Sequence, residues 1–132
     1  MNQLVSPTTQ ALKIYRQREG QMVLPITDLM FLRATGNYSW LHWKNGQRIL
    51  LPRTLKYYEP QLPSGWFVRA HRNCIVNVRY IERIEFLYPD KGGLVHLHSG
   101  DVLPVSRRRW VAIKKIFQRL LLTDRYVQTG RA

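Results

Sequence analysis

The chain has 132 residues, 45% hydrophobic and 11% aromatic, which suits one folded domain with a single core and excludes a disordered chain. Its formal net charge of +13, from 21 Lys and Arg against 8 Asp and Glu, far exceeds what solubility needs and draws polyanions: nucleic acid foremost, an acidic membrane or acidic protein as plainer alternatives. No apolar run reaches the roughly 20 residues that span a bilayer, residues 1–9 lack the pattern of a signal peptide, and the single cysteine, Cys74, fits a reducing cytoplasm.

Residues 1–9 are polar, hold Pro7 and are read as a flexible leader. Over residues 11–15, Leu12 and Ile14 alternate with Lys13, the period of a half-buried strand. Glu19-Gly20 marks a turn and residues 22–24 a second strand. Residues 29–32 are an apolar run ahead of the turn cluster Thr35-Gly36-Asn37. An aromatic-rich strand follows at 38–43, with its partner at 48–51. Asn45-Gly46 between them is the strongest short hairpin signal and predicts a type I′ turn, with its positive φ angles. Thr54 can cap a short helix holding Leu55, Tyr58 and Leu62, limited by Pro60 and Pro63. Residues 66–69 and 81–86 read as strands, with a turn over 77–80 between them. After a turn over 90–93, residues 94–98 and 102–105 form a hairpin about Ser99-Gly100-Asp101.

The period then changes. Trp110, Ile113, Ile116, Phe117, Leu120 and Leu121 recur at three and four, predicting an amphipathic helix over about 107–122. Ser106 is its natural N-cap, and Arg108, Lys114, Lys115 and Arg119 occupy its other face. Residues 123–132 are read as a flexible tail. About eight short strands with a helix appended argue for a mainly-β or α+β fold, not an alternating parallel sheet.

Residues 67–77, FVRAHRNCIVN, are the most informative stretch. Phe67, Ile75 and Val76 can seat the segment on a core. Arg69, His71, Arg72, Asn73 and Asn77 between them are the types that duplex readers use: Arg toward guanine or phosphate, Asn toward adenine. Turns between short strands, and the loop ahead of a helix, are where a rigid β scaffold presents side chains. Three such places carry long or planar polar groups: Asn37-Tyr38, His71-Arg72-Asn73 and Arg107-Arg108.

Four patterns in order carry a resemblance to a known family: FLRATGNY at 31–38, RTLK at 53–56, the 67–77 stretch, and GDVLPVSRR at 100–108. Together they resemble the LytTR-type DNA-binding domains, output modules of bacterial response regulators in two-component systems, over about residues 10–120. Asn73 stands where the family usually has serine. The receiver domain that usually precedes the module is absent from these residues, so the chain reads either as a standalone regulator, which Met1 and the short leader favour, or as an excised fragment. The resemblance implies packed antiparallel β-sheets with one short helix and a C-terminal amphipathic helix, the domain spanning 10–122. It also implies sequence-specific double-stranded DNA binding in bacterial transcription regulation, with loops reading the major groove and two copies on repeated half-sites. A separate sensor or receiver protein is a further expected partner, with no cofactor, no membrane and a cytoplasmic location. Position by position, it makes Tyr38, Arg72 and Arg107 the base-contact candidates, and Asn37, His71, Asn73 and Arg108 complete the DNA-facing set.

Each residue also has a plainer reading. Arg72 is open to a salt bridge or a phosphate contact, and Tyr38 to packing. Arg107 in a first helical turn opposes the helix dipole, which hints at an external anion. His71 is read as orienting its loop, Asn77 as tying a turn to the backbone, and Cys74 as a small buried hydrophobe. His96 and His98 share a strand face but lack a ligand set, so no metal is expected. Trp40, Trp43, Trp66 and Trp110 serve the scaffold, or else a stacking platform for single strands. Acidic residues are scattered and no Gly-rich nucleotide loop occurs, so no enzyme is expected. A single-stranded DNA or RNA module and a protein-interaction domain remain the alternatives.

Overall fold

The computed structural model describes residues 11–16, 20–87 and 91–131, with backbone alone for 14–16 and 123–131. The leader at 1–9, and Glu19 and Asp90 of two predicted turns, lie outside these residues. The chain opens with an antiparallel hairpin of β1 (Ala11–Arg16) and β2 (Gly20–Pro25). There follow β3 (Leu29–Thr35), β4 (Tyr38–Trp43) and β5 (Arg48–Pro52), then α1 (Leu55–Tyr58) with a 3-10 turn at Glu59–Gln61. Next come β6 (Phe67–His71), β7 (Cys74–Asn77), a 3-10 turn at Val78–Tyr80, β8 (Ile81–Phe86), β9 (Gly93–Leu97) and β10 (Val102–Val105). The helix α2 (Arg107–Arg131) closes the chain.

A five-stranded antiparallel sheet, in the order β5-β4-β3-β7-β6, is the middle layer. One face buries Leu32, Leu41, Leu51, Phe67 and Ile75 against Leu12 of the first hairpin and Leu55 and Tyr58 of α1. The other buries Phe31, Ala70, Cys74 and Val76 in a second cluster with Val95, Leu97 and Leu103 of the three-stranded sheet β10-β9-β8 and Ile113 and Phe117 of α2. The architecture is mainly β with antiparallel sheets and a C-terminal helix.

This layering explains where the strand count departs from about eight: ten strands are described. β3 begins with four consecutive buried residues, and all four residues of β7 are buried. Strands covered on both faces lose the alternation that marks a half-buried strand. The apolar run at 29–32 is therefore the start of a strand, and residues 74–77 are a strand that periodicity does not reveal.

The β4–β5 connection corrects the type I′ expectation. Gly46 has φ +90°, but among described non-glycine residues only Arg53 has positive φ, so Asn45 does not. Gly46 N–H bonds the Trp43 carbonyl at 3.0 Å and Trp43 N–H bonds the Gln47 carbonyl at 2.8 Å. This is a type I-like turn over Lys44-Asn45 followed by a left-handed glycine, the usual longer hairpin solution. The short helix is also curtailed: it ends at Tyr58, Thr54 makes no side-chain cap bond, and Leu62 lies beyond the 3-10 turn that holds Pro60. α2 starts as expected, with the Arg109 N–H donating to Ser106 Oγ at 3.3 Å. It continues to Arg131, past the end of the apolar spacing, and Leu121 is exposed rather than on the packed face.

Candidate nucleic-acid interface

The register of the five-stranded sheet brings five strand termini to one end. Tyr38 pairs with Thr35 and with Pro52, Arg33 pairs with Cys74, and His71 pairs with Cys74. In order across that end stand the close of β5, the Gly36-Asn37 turn, the Arg72-Asn73 turn and the close of β6. The start of α2 adjoins β6, because the Ser106 N–H donates to the Ala70 carbonyl at 2.9 Å. The three places singled out in sequence therefore share one edge.

Gly36-Asn37 is a two-residue hairpin loop with positive φ, +58°, at the glycine alone. That is the arrangement of a type II′ turn, whose twist suits the strands it joins. It leaves Asn37 exposed and Tyr38 half exposed, at 50%. Tyr38 is not a packed strand aromatic.

The Arg72-Asn73 loop is also two residues long, yet neither has positive φ. An unprimed turn of this length fits strand twist poorly, and side chains hold it instead. Arg69 Nε donates to the His71 carbonyl and Arg69 Nη2 to the Arg72 carbonyl, each at 3.0 Å, while Nη1 pairs with Glu59 Oε1 at 2.8 Å. The Asn73 N–H donates to His71 Nδ1 at 3.1 Å. Burial, with the Arg72 and Arg69 charges beside it, holds the His71 pKa below its ordinary value and keeps that nitrogen free to accept. A sheet irregularity between Arg69 and His71 completes the turn. His71 thus orients its loop, and the Arg72 guanidinium stays exposed with no ion pair among the described residues.

Arg69, His71, Arg72, Ser106, Arg107, Arg108 and Arg109 line a groove of about 460 Å³. Five of these seven are arginines, and Arg107–Arg109 form the first turn of a helix whose dipole they oppose. The arrangement repels itself and suits an anion. Asn37 and Tyr38 do not line the groove; they stand further along the same sheet end. Arg109 lines the groove as well, beyond the expected Arg107-Arg108, and the unbroken arginine run 107–109 is the sequence signal that marks it.

The remaining candidates serve the scaffold. Asn77, fully buried, donates from Nδ2 to the Leu29 carbonyl at 3.0 Å and accepts the Arg79 N–H at 3.1 Å. Burial pushes the Cys74 thiol up to about 11, and its Sγ faces the Pro104 carbonyl at 3.5 Å. His96 Nε2 meets Glu85 Oε1 at 2.8 Å, and His98 lies past the end of β9. The indole N–H of Trp43 donates to the Pro25 carbonyl at 2.8 Å, Trp66 and Trp110 pack against the two clusters, and Trp40 lies beneath Arg48 at 4.8 Å. No helix of the described residues is long and apolar enough to cross a membrane.

Fold and charge define a small basic β-sheet domain with a cationic edge. The chain belongs to the LytTR family, the LytTr DNA-binding domain, whose family model matches residues 19–118. It is 33% identical over 109 residues to the positive alginate biosynthesis regulatory protein of Pseudomonas aeruginosa, covering 80% of this chain and 42% of that protein. It is 35% identical over 63 residues to the sensory transduction protein LytT of Bacillus subtilis, covering 48% of this chain and 26% of that one. The chain thus spans less than half the length of these relatives. A solved LytTr DNA-binding domain from Bacillus cereus superposes with a TM-score of 0.64 at 25% identity, over 82% of this chain and 96% of that one. The family is a DNA-binding one and not a class of enzymes.

Proposed function

We propose that this domain binds double-stranded DNA sequence-specifically in bacterial transcription regulation, with its loops in the major groove of repeated half-sites, one copy on each. Tyr38, Arg72 and Arg107 contact bases in this reading, Asn37, Asn73 and Arg108 support them, and His71 orients its loop. A separate sensor or receiver protein supplies the input, and the setting is the cytoplasm. The observation that carries the reading is the groove where arginines from β6, its turn and the start of α2 converge, on the same sheet end as Tyr38. Arg can pair bidentately with guanine, each good pair worth about 1–3 kcal/mol of discrimination, while neighbouring cations position the duplex through phosphates.

The test is selection of bound sequences from a random duplex pool, followed by titration of the selected duplex at several salt concentrations. Enrichment of a site with two repeated elements is expected. Neutralising about six phosphates gives a log K against log salt slope near −5, within a range of about −4 to −8. A slope near zero rejects nucleic acid altogether and favours a protein-interaction domain. Preference for single strands in competition favours a stacking module.

A further inference from the structure

One cation on the same sheet end takes no part in the groove. Arg53 follows β5 directly, and its φ of +95° lies in the left-handed region, a conformation that L side chains rarely adopt. Two side chains hold this corner. Ser39, fully buried, donates from Oγ to the Arg53 carbonyl at 2.9 Å, and the Tyr58 hydroxyl donates to the neighbouring Pro52 carbonyl. The Arg53 guanidinium lies 4.8 Å above the ring of exposed Tyr57 and makes no ion pair among the described residues. Glycine would be the relaxed residue here. Backbone strain retained around an outward-facing charge is a feature of sites that serve a ligand.

The position suggests which ligand. Pro52 pairs with Tyr38, so Arg53 flanks that base-contact candidate on the side away from the arginine groove. Neighbouring strands lie about 4.8 Å apart, so the four intervals from β5 to β6 span roughly 19 Å. The major groove is about 12 Å wide. A sheet end wider than that groove, seated in it through Tyr38 and Arg72, leaves its β5 corner over a rim, where the phosphates are.

We propose that Arg53 is a phosphate-binding residue of the DNA interface, at the β5 corner of the sheet end opposite the arginine groove, held outward by its strained backbone and by Ser39. The inference rests on the duplex-binding reading above. Its chemistry is positional: a guanidinium on phosphate contributes affinity and register but no base preference.

The experiment compares the unaltered protein with Arg53→Gly and Arg53→Lys. Each is titrated with a random-sequence duplex and with the duplex selected from it, across salt concentrations, and each is melted. Arg53→Gly is expected to melt higher, because the strain is relieved, and yet to bind both duplexes more weakly by the same factor. Its log K against log salt slope should be shallower by about 0.9, the loss of one phosphate contact. Arg53→Lys should keep the parent slope. Unchanged affinity and slope in Arg53→Gly would overturn the proposal and leave Arg53 a scaffold residue stacked on Tyr57. A loss confined to the selected duplex would overturn it in favour of base readout, and a lower melting point in Arg53→Gly would overturn the part assigned to strain. If the unaltered protein binds no duplex, the reading beneath the proposal fails and the proposal with it. If the parent binds and Arg53→Gly matches it, the proposal fails alone.

Discussion

Arg69 Nη1 and Glu59 Oε1 lie 2.8 Å apart, and the same guanidinium caps the carbonyls of His71 and Arg72. The pair joins the 3-10 turn after α1 to the Arg72-Asn73 loop, so a residue remote in sequence steadies the part of the edge where Arg72 stands. Arg69 makes three bonds in three directions, which a lysine cannot reproduce.

Arg69→Ala and Arg69→Lys should therefore both lose discrimination between selected and random duplex, by about 1–3 kcal/mol if Arg72 is displaced from a base. Glu59→Gln should cost less than about 1 kcal/mol in stability, since a half-exposed pair is screened by solvent. Melting curves and paired titrations check both. Full discrimination in Arg69→Lys would show that charge alone, and not the fork, holds the loop.

His71 accepts the Asn73 N–H only while its Nδ1 is unprotonated. Its folded pKa lies below the ordinary 6.5, so the unfolded chain takes up the proton first. Stability linked to this group is present above that value and is lost as pH falls through the window beneath it. Discrimination should fall in the same window, while binding to random duplex holds or rises with the added charge. Imidazole NMR titration, alongside binding at each pH, tests this. A discrimination ratio constant across the His71 titration would exclude the coupling.

Arg72→Ala should weaken the selected duplex by about 1–3 kcal/mol and random duplex much less. Lys115→Ala, on the exposed face of α2, should weaken both equally or neither. Both variants should melt as the parent does. Equal losses on both duplexes for Arg72→Ala would make Arg72 a phosphate clamp and move readout to Tyr38, Asn73 or Arg107.

Gly93 lets Trp110 lie against β9. A Cβ there would come within 2.3 Å of Trp110 Cζ3 and 2.5 Å of the Glu85 carbonyl oxygen. Gly93→Ala should destabilise by at least about 1–3 kcal/mol, the range for an overfilled site, because a sheet carbonyl cannot move aside cheaply. Denaturant unfolding measures it. Unchanged stability would mean that the contact between α2 and β9 yields more easily than its closeness suggests.

Local signals in the sequence carried most elements. β4, β8, β10 and the Ser106 cap stand where spacing and residue type put them, because each depends on near neighbours. β3 and β7 were hidden because burial on two faces erases alternation. The Asn45-Gly46 turn was read one type away because a dipeptide does not set the loop length that selects turn type. Arg69 and Arg72 were legible as a polar run. The fact that one holds the other's loop was not, since it needs Glu59, ten residues away in sequence. Arg53 was legible only as part of a motif: nothing in an arginine codon announces a positive φ.

The sheet end that carries positions 38, 53, 72 and 107 comes together only once the five-stranded sheet has closed on α2. The net charge of +13, by contrast, belongs to the chain in any conformation. The two should part company thermodynamically. A featureless polyanion binds folded and unfolded chains alike and shifts their equilibrium little, whereas a duplex that fits the edge binds the folded chain alone and raises its melting point by mass action. Heat resistance conferred by a given duplex is thus a measure of how well it fits.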